Sequence, residues 1–421
     1  MFRHKVLLWL ILSLLISCEG RQRPSVLLVI LDTVAAGHVG YCGYERNTTP
    51  TLDSLAAVGA AFTACQAASP WTLPSGASIL TGLYPRSHGA RRYDTGRVLG
   101  ADPAMPTIPS VMKNAGYATA GFVNNYLLGE EFGWHVGYES FYSEYIGLYN
   151  AGPTVDTCLA WMDDLQEGEE FFVMVHFFDA HDPYDPPAPF DTLFGPGGPP
   201  FNWNTRRTRE PPNPALTSHL IDMYDGGVAH VDNELGRLLA GMRQRGLTRN
   251  TVVIVVADHG EEFLERGAIW HGKTLNQEAL HVPMVFSGAG ILPGVYSDPA
   301  SHVDIVPTLA ELTGLDWPGP LEGVDLFHDN TVQPVFSSNL NAGPLWPVAV
   351  LYGSDLAIWE TTTDTWTAYD LDSDPGRTLP LQPDSSAIEY ALLYWASPVL
   401  YDPLQVDRDR VDSILEDLGY F

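Results

Sequence analysis

The chain has 421 residues, which is enough for one large α/β domain with a smaller appended one. Its 51 acidic residues outnumber its 22 basic residues, and the formal net charge is −29. A surface this acidic repels nucleic acid and anionic lipid headgroups, so we exclude proteins that track a phosphate backbone. To bind an anionic substrate, such a protein would need a local positive charge, for example a metal ion.

The first residues follow the pattern of an export signal. Two basic residues precede the apolar run Val6–Leu15, which is too short for a resident membrane span. The run leads into "LISC", which is similar to a bacterial lipobox ending at Cys18. We therefore expect residues 1–18 to be a lipoprotein-type signal, and the protein to be an exported outer-membrane or periplasmic lipoprotein of a bacterium, anchored at Cys18. The alternative is an ordinary signal peptide with an incidental cysteine.

Three apolar runs of strand length lead into groups that can bind a ligand. They are "SVLLVILD", which ends at Asp32, "EFFVMVHFFDAHDPY", which contains Asp179 and His181, and "TVVIVVADHG", which contains Asp258 and His259. Such runs are typical of buried parallel strands. Helical patterns lie between them, at about 50–61, 107–115, 154–166 and 218–245. The alternation predicts an α/β fold over residues 23–317, with a mostly parallel central sheet flanked by helices and ligands at the carboxyl ends of its strands.

The stretch "SPWTLPSGASILTG", residues 69–82, has the pattern of a short helix. Pro74 suits the first helical position and Gly82 the position just past the end, which would put Thr72 or Leu73 at the cap. Backbone N–H groups exposed at such a start attract an anion, and the hydroxyl of Thr72 would point at that anion. A plain capping role for Thr72 is the local alternative.

The remaining segments predict a loop and a small second unit. Residues 182–214 are rich in proline and glycine, which favours a surface loop near the site entrance. From residue 318 to 421 the pattern changes to short alternating runs, which predict a small antiparallel sheet and then a terminal helix at about 408–418. Besides Cys18 there are three cysteines, so at most one disulfide can form, and the sequence does not select the pair.

The strand ends carry the candidate metal ligands Asp32, Asp258 and His259. Two carboxylates and an imidazole suit one divalent cation of intermediate hardness, so we expect Mn²⁺, Mg²⁺ or Ca²⁺. A single aspartate at a strand end is more often a cap or turn residue. The cluster "ADHGEE" is more informative, because burying so many ionisable groups after six strand-forming residues is costly without a ligand.

A series of motifs resembles, in order along the chain, those of the sulfatases in the wider alkaline-phosphatase superfamily. The motifs are "RPSVLLVILDT", "GYERNTTPTLDSLA", "WTLPSGASILTGLYPRSHG", "FFDAHDPY", "VDNELGRLLAGM", "VVADHGEEFLERG", "HGKTLNQEALHVPMVFSGAG", "HVDIVPTLAELTGL" and "YDLDSDPG". The resemblance implies an alkaline-phosphatase-like fold and a metal-dependent hydrolase of sulfate or phosphate esters.

The resemblance also implies roles for individual residues. Asp32 and Asp258 match metal-binding aspartates, and His259 matches a position that is Asn or His in relatives. Thr72 aligns with the nucleophile, which would also be a metal ligand. The remaining matches are the residues expected to meet the ester and its leaving group: His181, His271 and Lys273.

Departures from the family pattern are equally specific. Sulfatases convert a Cys or Ser at the nucleophile position into formylglycine, and Thr72 cannot form that aldehyde. Gly76 replaces the motif arginine, whereas Thr33 and Gly37 replace aspartates common after the first strand. The Lys and His that some sulfatases carry near the third helix are absent from "GYATAGFVNNYLLG". Several positive groups that hold a sulfate are therefore missing.

The sequence is compatible with three functions. One is a metal-dependent hydrolase in which Thr72 attacks a phosphate or sulfate ester directly. Another is a phospho-group transferase acting on envelope glycans or lipids, an arrangement similar to that of lipoteichoic acid synthases. The last is a non-catalytic lipoprotein that keeps the fold, which the loss at Gly76 favours and the retained metal ligands oppose.

Overall fold

The structure of the protein is a computed structural model that describes residues 23–92, 98–143, 151–197, 213–328, 331–339, 346–374 and 376–401. The predicted signal and Cys18, and the helix predicted at 408–418, lie outside the described residues. Within these residues the α-helices are α1 Pro50–Val58, α2 Thr72–Thr81, α3 Pro85–His88, α4 Ile108–Asn114, α5 Ala151–Asp163, α6 Pro214–Gln244, α7 Gln277–Leu280, α8 Ile305–Thr313 and α9 Ser385–Ala396.

The strands are β1 Ser25–Leu31, β2 Ala60–Phe62, β3 Cys65–Gln66, β4 Arg91–Arg92, β5 Val98–Leu99, β6 Ala118–Val123, β7 Ser140–Tyr142, β8 Phe171–Phe177, β9 Thr251–Ala257, β10 Glu262–Phe263, β11 Ile269–Trp270, β12 Met284–Gly288, β13 Gly294–Tyr296, β14 Ala300–Ser301, β15 Val335–Ser338, β16 Val348–Tyr352, β17 Asp355–Glu360 and β18 Thr365–Asp370.

The central sheet has eight strands in the order β13-β2-β12-β9-β1-β8-β6-β7. Only β12 runs antiparallel to its neighbours, and the other pairings are parallel. The strands β1, β8 and β9 are buried along their whole length, as their continuous apolar sequences predict. Burial of each Val, Leu or Ile side chain here contributes about 1.5–3 kcal/mol to folding. The predicted α/β fold with a mostly parallel sheet and flanking helices is confirmed.

The helix α6 starts earlier than its apolar pattern predicts. It begins at Pro214, and the side chain of Asn213 caps it by accepting a hydrogen bond from the Leu216 N–H (3.0 Å). Proline at the first helical position has no N–H to leave unpaired, which is why the helix can start there. The described part of the proline-rich stretch before it contains one short 3-10 turn, Phe190–Thr192.

The end of α1 corrects a second boundary. The helix stops at Val58 instead of residue 61, because Gly59 takes an extended conformation. The next three residues form β2, which lies between β12 and β13 in the central sheet. The sequence pattern extended the predicted helix into this strand, because the strand is only three residues long and consists of Ala and Phe.

The C-terminal part contains the predicted antiparallel sheet, with four strands in the order β15-β16-β17-β18. The sequence pattern did not predict the first strand, β15. This strand joins the small sheet to residues 67 and 68 of the large domain, because the Ser338 N–H donates to the Ala68 carbonyl (3.0 Å) and the Ser337 hydroxyl donates to the Ala67 carbonyl (2.6 Å). Tyr394 of α9 packs with Tyr84 against the apolar side chains of β16.

Cys42, Cys65 and Cys158 are free thiols, so none of the three pairings that the sequence allowed is present in the described part of the chain. Burial raises the pKa of the Cys158 thiol, which keeps it protonated. Among the described residues, no helix is both long enough and apolar enough to cross a bilayer.

Candidate active site

The two strands that carry the predicted ligands are neighbours. Asp32 follows β1 and Asp258 follows β9, and the two strands pair in parallel with Leu31 opposite Ala257. The Asp258 N–H also donates to the Leu31 carbonyl (3.2 Å). Because carboxyl ends of adjacent parallel strands meet at one edge of a sheet, both carboxylates reach the same buried point.

Asp32 has one oxygen held and one left without a hydrogen bond. Its Oδ2 accepts a hydrogen bond from Asn125 Nδ2 (2.7 Å) and lies 3.2 Å from His176 Nε2. Its Oδ1 is buried and has no hydrogen-bond partner among the described residues. The Asn125 hydrogen bond and the His176 contact therefore fix the orientation of the carboxylate and leave Oδ1 for another ligand.

Asp258 also has one carboxylate oxygen that accepts hydrogen bonds and one that accepts none from the described residues. Its Oδ1 accepts hydrogen bonds from the backbone N–H groups of Thr33 (3.2 Å) and His259 (2.8 Å). Its Oδ2 is buried and has no hydrogen-bond partner within the described ranges. A buried carboxylate oxygen without a donor is costly, so its presence in both aspartates points to a cation.

His259 completes this arrangement. Its Nδ1 lies 2.9 Å from the Gly260 carbonyl, and because a carbonyl oxygen only accepts, Nδ1 carries the proton. Its Nε2 faces Asp32 Oδ1 (3.7 Å) and Asp258 Oδ2 (3.5 Å), and a ring without a proton there would offer a lone pair to a cation. Three lone-pair donors that face one another at these distances repel unless a cation lies between them, so the residues fit one divalent metal ion.

The pKa values of the two aspartates reflect the same repulsion. Burial, together with the charge of Asp32, raises the pKa of Asp258 to about 6. Burial alone would also raise the pKa of Asp32, but the contact and charge of His176 and the charges of the other site histidines hold it well below its usual range. Without a cation the pair thus favours one ionised carboxylate over two.

Thr72 brings its hydroxyl to this point. Its Oγ1 lies 3.3 Å from His259 Nε2, 3.5 Å from Asp32 Oδ2 and 3.3 Å from Asn125 Nδ2. The predicted cap was wrong: Trp71 is the cap and Thr72 is the first helical residue of α2. Pro74 fits the third helical position equally well, because the first N–H groups of a helix have no acceptor within it. Gly82 ends the helix with φ 70°, as predicted.

The other hydroxyls of α2 are engaged elsewhere. Ser75 Oγ donates to the Ser69 carbonyl (2.6 Å), and Ser78 Oγ lies 3.2 Å from His88 Nε2. At Gly76, an added Cβ would lie 2.5 Å from Leu128 Cδ2. An arginine at position 76, as in the family motif, would therefore collide with Leu128 in its present position.

His181 and His271 lie beside the metal ligands. The ring of His271 is 4.5 Å from that of His259 and 4.9 Å from that of His181, measured between centroids. His181 Nδ1 lies 2.9 Å from Asp182 Oδ1. Burial alone would lower the pKa of His181, but the charge and hydrogen bond of Asp182 raise it to about 9.

A buried glutamate orients His271. Glu261 Oε1 lies 3.0 Å from His271 Nδ1, and Oε2 accepts a hydrogen bond from the Tyr184 hydroxyl (3.0 Å). Because a carboxylate that holds Nδ1 fixes the ring orientation, Nε2 of His271 is left for other contacts.

Lys273 is more peripheral than its motif suggests. Its side chain is exposed, and its ammonium lies 5.2 Å from the centre of the Trp270 ring. The preceding Gly272 N–H donates to the Pro70 carbonyl (2.9 Å), which joins this segment to the one that leads into α2.

Sequence reasoning missed Asn125 and His176, and it noted Glu261 only as a member of the "ADHGEE" cluster, without a role. His176 lies within the apolar sequence of β8. One of its ring nitrogens, one oxygen of Asp32 and one oxygen of Asp258 all lie within 4.8 Å of one another, close enough to hold a metal ion. A histidine inside an otherwise apolar strand was the available signal. Asn125 gave no such signal, because a single asparagine is common in turns that bind nothing.

Known proteins share this sequence pattern and fold. The sulfatase family profile matches residues 24–315. The chain is 24% identical over 386 residues to an arylsulfatase of Clostridium perfringens, covering 72% of this chain and 78% of that protein. It is 24% identical over 408 residues to an N-acetylgalactosamine-6-sulfatase of Canis lupus familiaris, covering 85% and 76%.

The fold is also that of a solved structure, the phosphonate monoester hydrolase of Agrobacterium radiobacter. The TM-score is 0.72 at 19% identity, over 89% of this chain and 94% of that one. The residues matched by the family profile include the strands of the central sheet, the helix α2 and the candidate active site. The chain therefore belongs to the sulfatase family.

Proposed function

We propose that the protein hydrolyses a sulfate or phosphate ester with Thr72 as the direct nucleophile and with one divalent cation held by Asp32, Asp258, His259 and Thr72. The observation that carries the proposal is the position of Thr72 Oγ1, 3.3 Å from His259 Nε2 and beside two aspartates that each keep a buried oxygen without a donor. A decayed site has no reason to retain this arrangement.

The donor set defines what the cation would be. Two carboxylates, one imidazole and a hydroxyl suit Mn²⁺ or Mg²⁺, and Ca²⁺ less well, because imidazole prefers metals of intermediate hardness. A cation bound there would lower the pKa of the hydroxyl and offset the negative charge that develops on the ester. Asn125 and His176 would keep Asp32 oriented toward it.

The reaction on Thr72 proceeds in two steps. In the first, Oγ1, which has already lost its proton to solvent, bonds to the phosphorus or sulfur of the ester, and the bond to the leaving oxygen breaks as that oxygen takes a proton from His181. In the second, water attacks the same phosphorus or sulfur and gives one proton to His181, and the bond to Oγ1 breaks, which restores both residues. Formylglycine could instead expel sulfate by breaking a C–O bond, but threonine lacks that route.

This difference favours phosphorus as the central atom. A threonine adduct must be cleaved by water at phosphorus or sulfur, and the neighbour from Agrobacterium radiobacter acts, by its name, on phosphonate monoesters. The sulfatase relatives support the sulfur alternative. The canine relative is named for a sulfated amino sugar, which supports a glycan ester as substrate. Lys273 is the proposed partner of the ester oxygens, since its segment joins the one that leads into Thr72.

Replacing one ligand should remove the cation. We expect Asp258→Asn to bind far less Mn²⁺ than the wild type after stripping and reloading, as measured by elemental analysis. Asp304→Asn is the matched control, because Asp304 is a buried aspartate whose oxygens accept backbone hydrogen bonds from Ser301 and Val324. Equal metal in wild type and Asp258→Asn would contradict the ligand set.

Removing the nucleophile should stop turnover. We expect Thr72→Ala to abolish activity with the fold intact and Thr72→Ser to keep part of it, because serine supplies the same hydroxyl. Ser75→Ala should cost far less. Acid quenching during turnover of a phosphodiester, followed by peptide mass mapping, should find phosphate on Thr72. Phosphate on Ser75, or full activity of Thr72→Ala, would refute the mechanism.

His181 should matter most when the leaving group is poor. We expect His181→Ala to slow alkyl esters more than nitrophenyl esters, because only an alkoxide of high basicity needs the proton. With the wild type, rates on alkyl esters should be level up to about pH 9 and fall above it, since the acid must be protonated and its raised pKa is about 9. His230→Ala, at a buried histidine paired with Asp179, is the control. Equal losses on both ester types would argue against an acid role.

We also propose export and lipid anchoring at Cys18, on the evidence of the "LISC" motif. In a bacterial host, the wild type should sediment with membranes and Cys18→Ser should be soluble. Cys42→Ser is the control, as Cys42 is a half-buried free thiol. A wild type already found in the soluble fraction would exclude the anchor.

A further inference from the structure

One residue next to the metal site has a backbone conformation that its side chain disfavours. Thr33, directly after Asp32, has φ 59° and is completely buried. This left-handed region is common for glycine but rare for a β-branched residue, because Cβ and its branches crowd the backbone. Such a conformation persists only where surrounding contacts enforce it.

A side chain of α6 contacts both sides of this bend. The Tyr224 hydroxyl donates to the Thr33 carbonyl (2.6 Å) and accepts from the Ala35 N–H (3.0 Å), so one oxygen holds both sides of the bend. Tyr224 is fully buried, and its ring packs edge-on against His38 and tilted against Phe263. Burial raises the pKa of its hydroxyl, which therefore keeps the proton that it donates.

The bend has a direct effect on the site. At the bend, the Thr33 N–H donates to Asp258 Oδ1 (3.2 Å) and is one of the two backbone donors that hold this oxygen. With Oδ1 held, Asp258 Oδ2 is the oxygen that faces Asp32 and His259. Without the bend, the carboxylate would lose a donor and could rotate, which would withdraw the free oxygen from the cation.

We propose that Tyr224 is a positioning residue of the metal site: by holding Thr33 in the left-handed conformation, it fixes Asp258 for cation binding. This inference rests on the proposed metal site. It assigns a role in the chemistry to a helix residue that touches neither the substrate nor the cation. Outer groups that orient metal ligands typically contribute 10–100-fold to affinity.

The test is a calorimetric titration of stripped protein with Mn²⁺. Tyr224→Phe removes both hydrogen bonds and keeps the ring, so its affinity for Mn²⁺ should fall by about 10–100-fold. Tyr44→Phe is the matched control: it removes a hydroxyl that donates to Asp225, the next residue of α6, without touching Thr33. The control should bind Mn²⁺ as the wild type does. Circular dichroism should show equal helix content in all variants.

A second substitution separates positioning from general support of the fold. Glycine adopts positive φ without assistance, so Thr33→Gly in the Tyr224→Phe background should restore affinity to within about threefold of the wild type. Unchanged affinity in Tyr224→Phe, or a loss that glycine does not repair, would overturn the inference and leave the metal site intact. A wild type that binds no divalent cation would instead refute the proposed metal site, and this inference with it.

Discussion

The organisation of the site follows from one electrostatic conflict: two buried carboxylates reach the same point from adjacent parallel strands. Within the described residues, each carboxylate has one oxygen that accepts a hydrogen bond and one that accepts none, and His259 Nε2 faces the second oxygen of both. In the proposed function, a divalent cation between them would offset this repulsion. The hydroxyl of Thr72 lies beside that position, so the proposed nucleophile and the proposed cation site would form a single unit.

Much of the fold was predictable, because the information lies in local patterns. The continuous apolar sequences of β1, β8 and β9 predicted buried parallel strands, and the carboxylate after β1 and the Asp-His pair after β9 marked their functional ends. The errors were also local. The start of α2 was placed too late because Pro74 is acceptable at more than one position of a first turn, and β2 is too short to leave a periodic signal.

The contacts that complete the site could not be read from the sequence. Asn125 follows β6 and His176 lies in β8, and they meet Asp32 only because β1, β8 and β6 lie side by side. The same holds for Gly76: in the sequence it is a lost arginine, but in the structure Leu128 fills the space next to it. Leu128 belongs to the short turn that Asn125 caps, so the side chain packed against Gly76 and the amide beside Thr72 come from one segment.

The direction of β1 has a consequence for access. The strand begins two residues after Arg23 and runs to Asp32, so its seven residues separate its first residue from the catalytic edge by about 23 Å, at 3.3 Å per residue. Under the proposed anchoring at Cys18, the tether would therefore join the sheet at the end opposite the candidate active site. An arrangement of this kind would favour esters on polymers or solutes over headgroups of the tethering membrane.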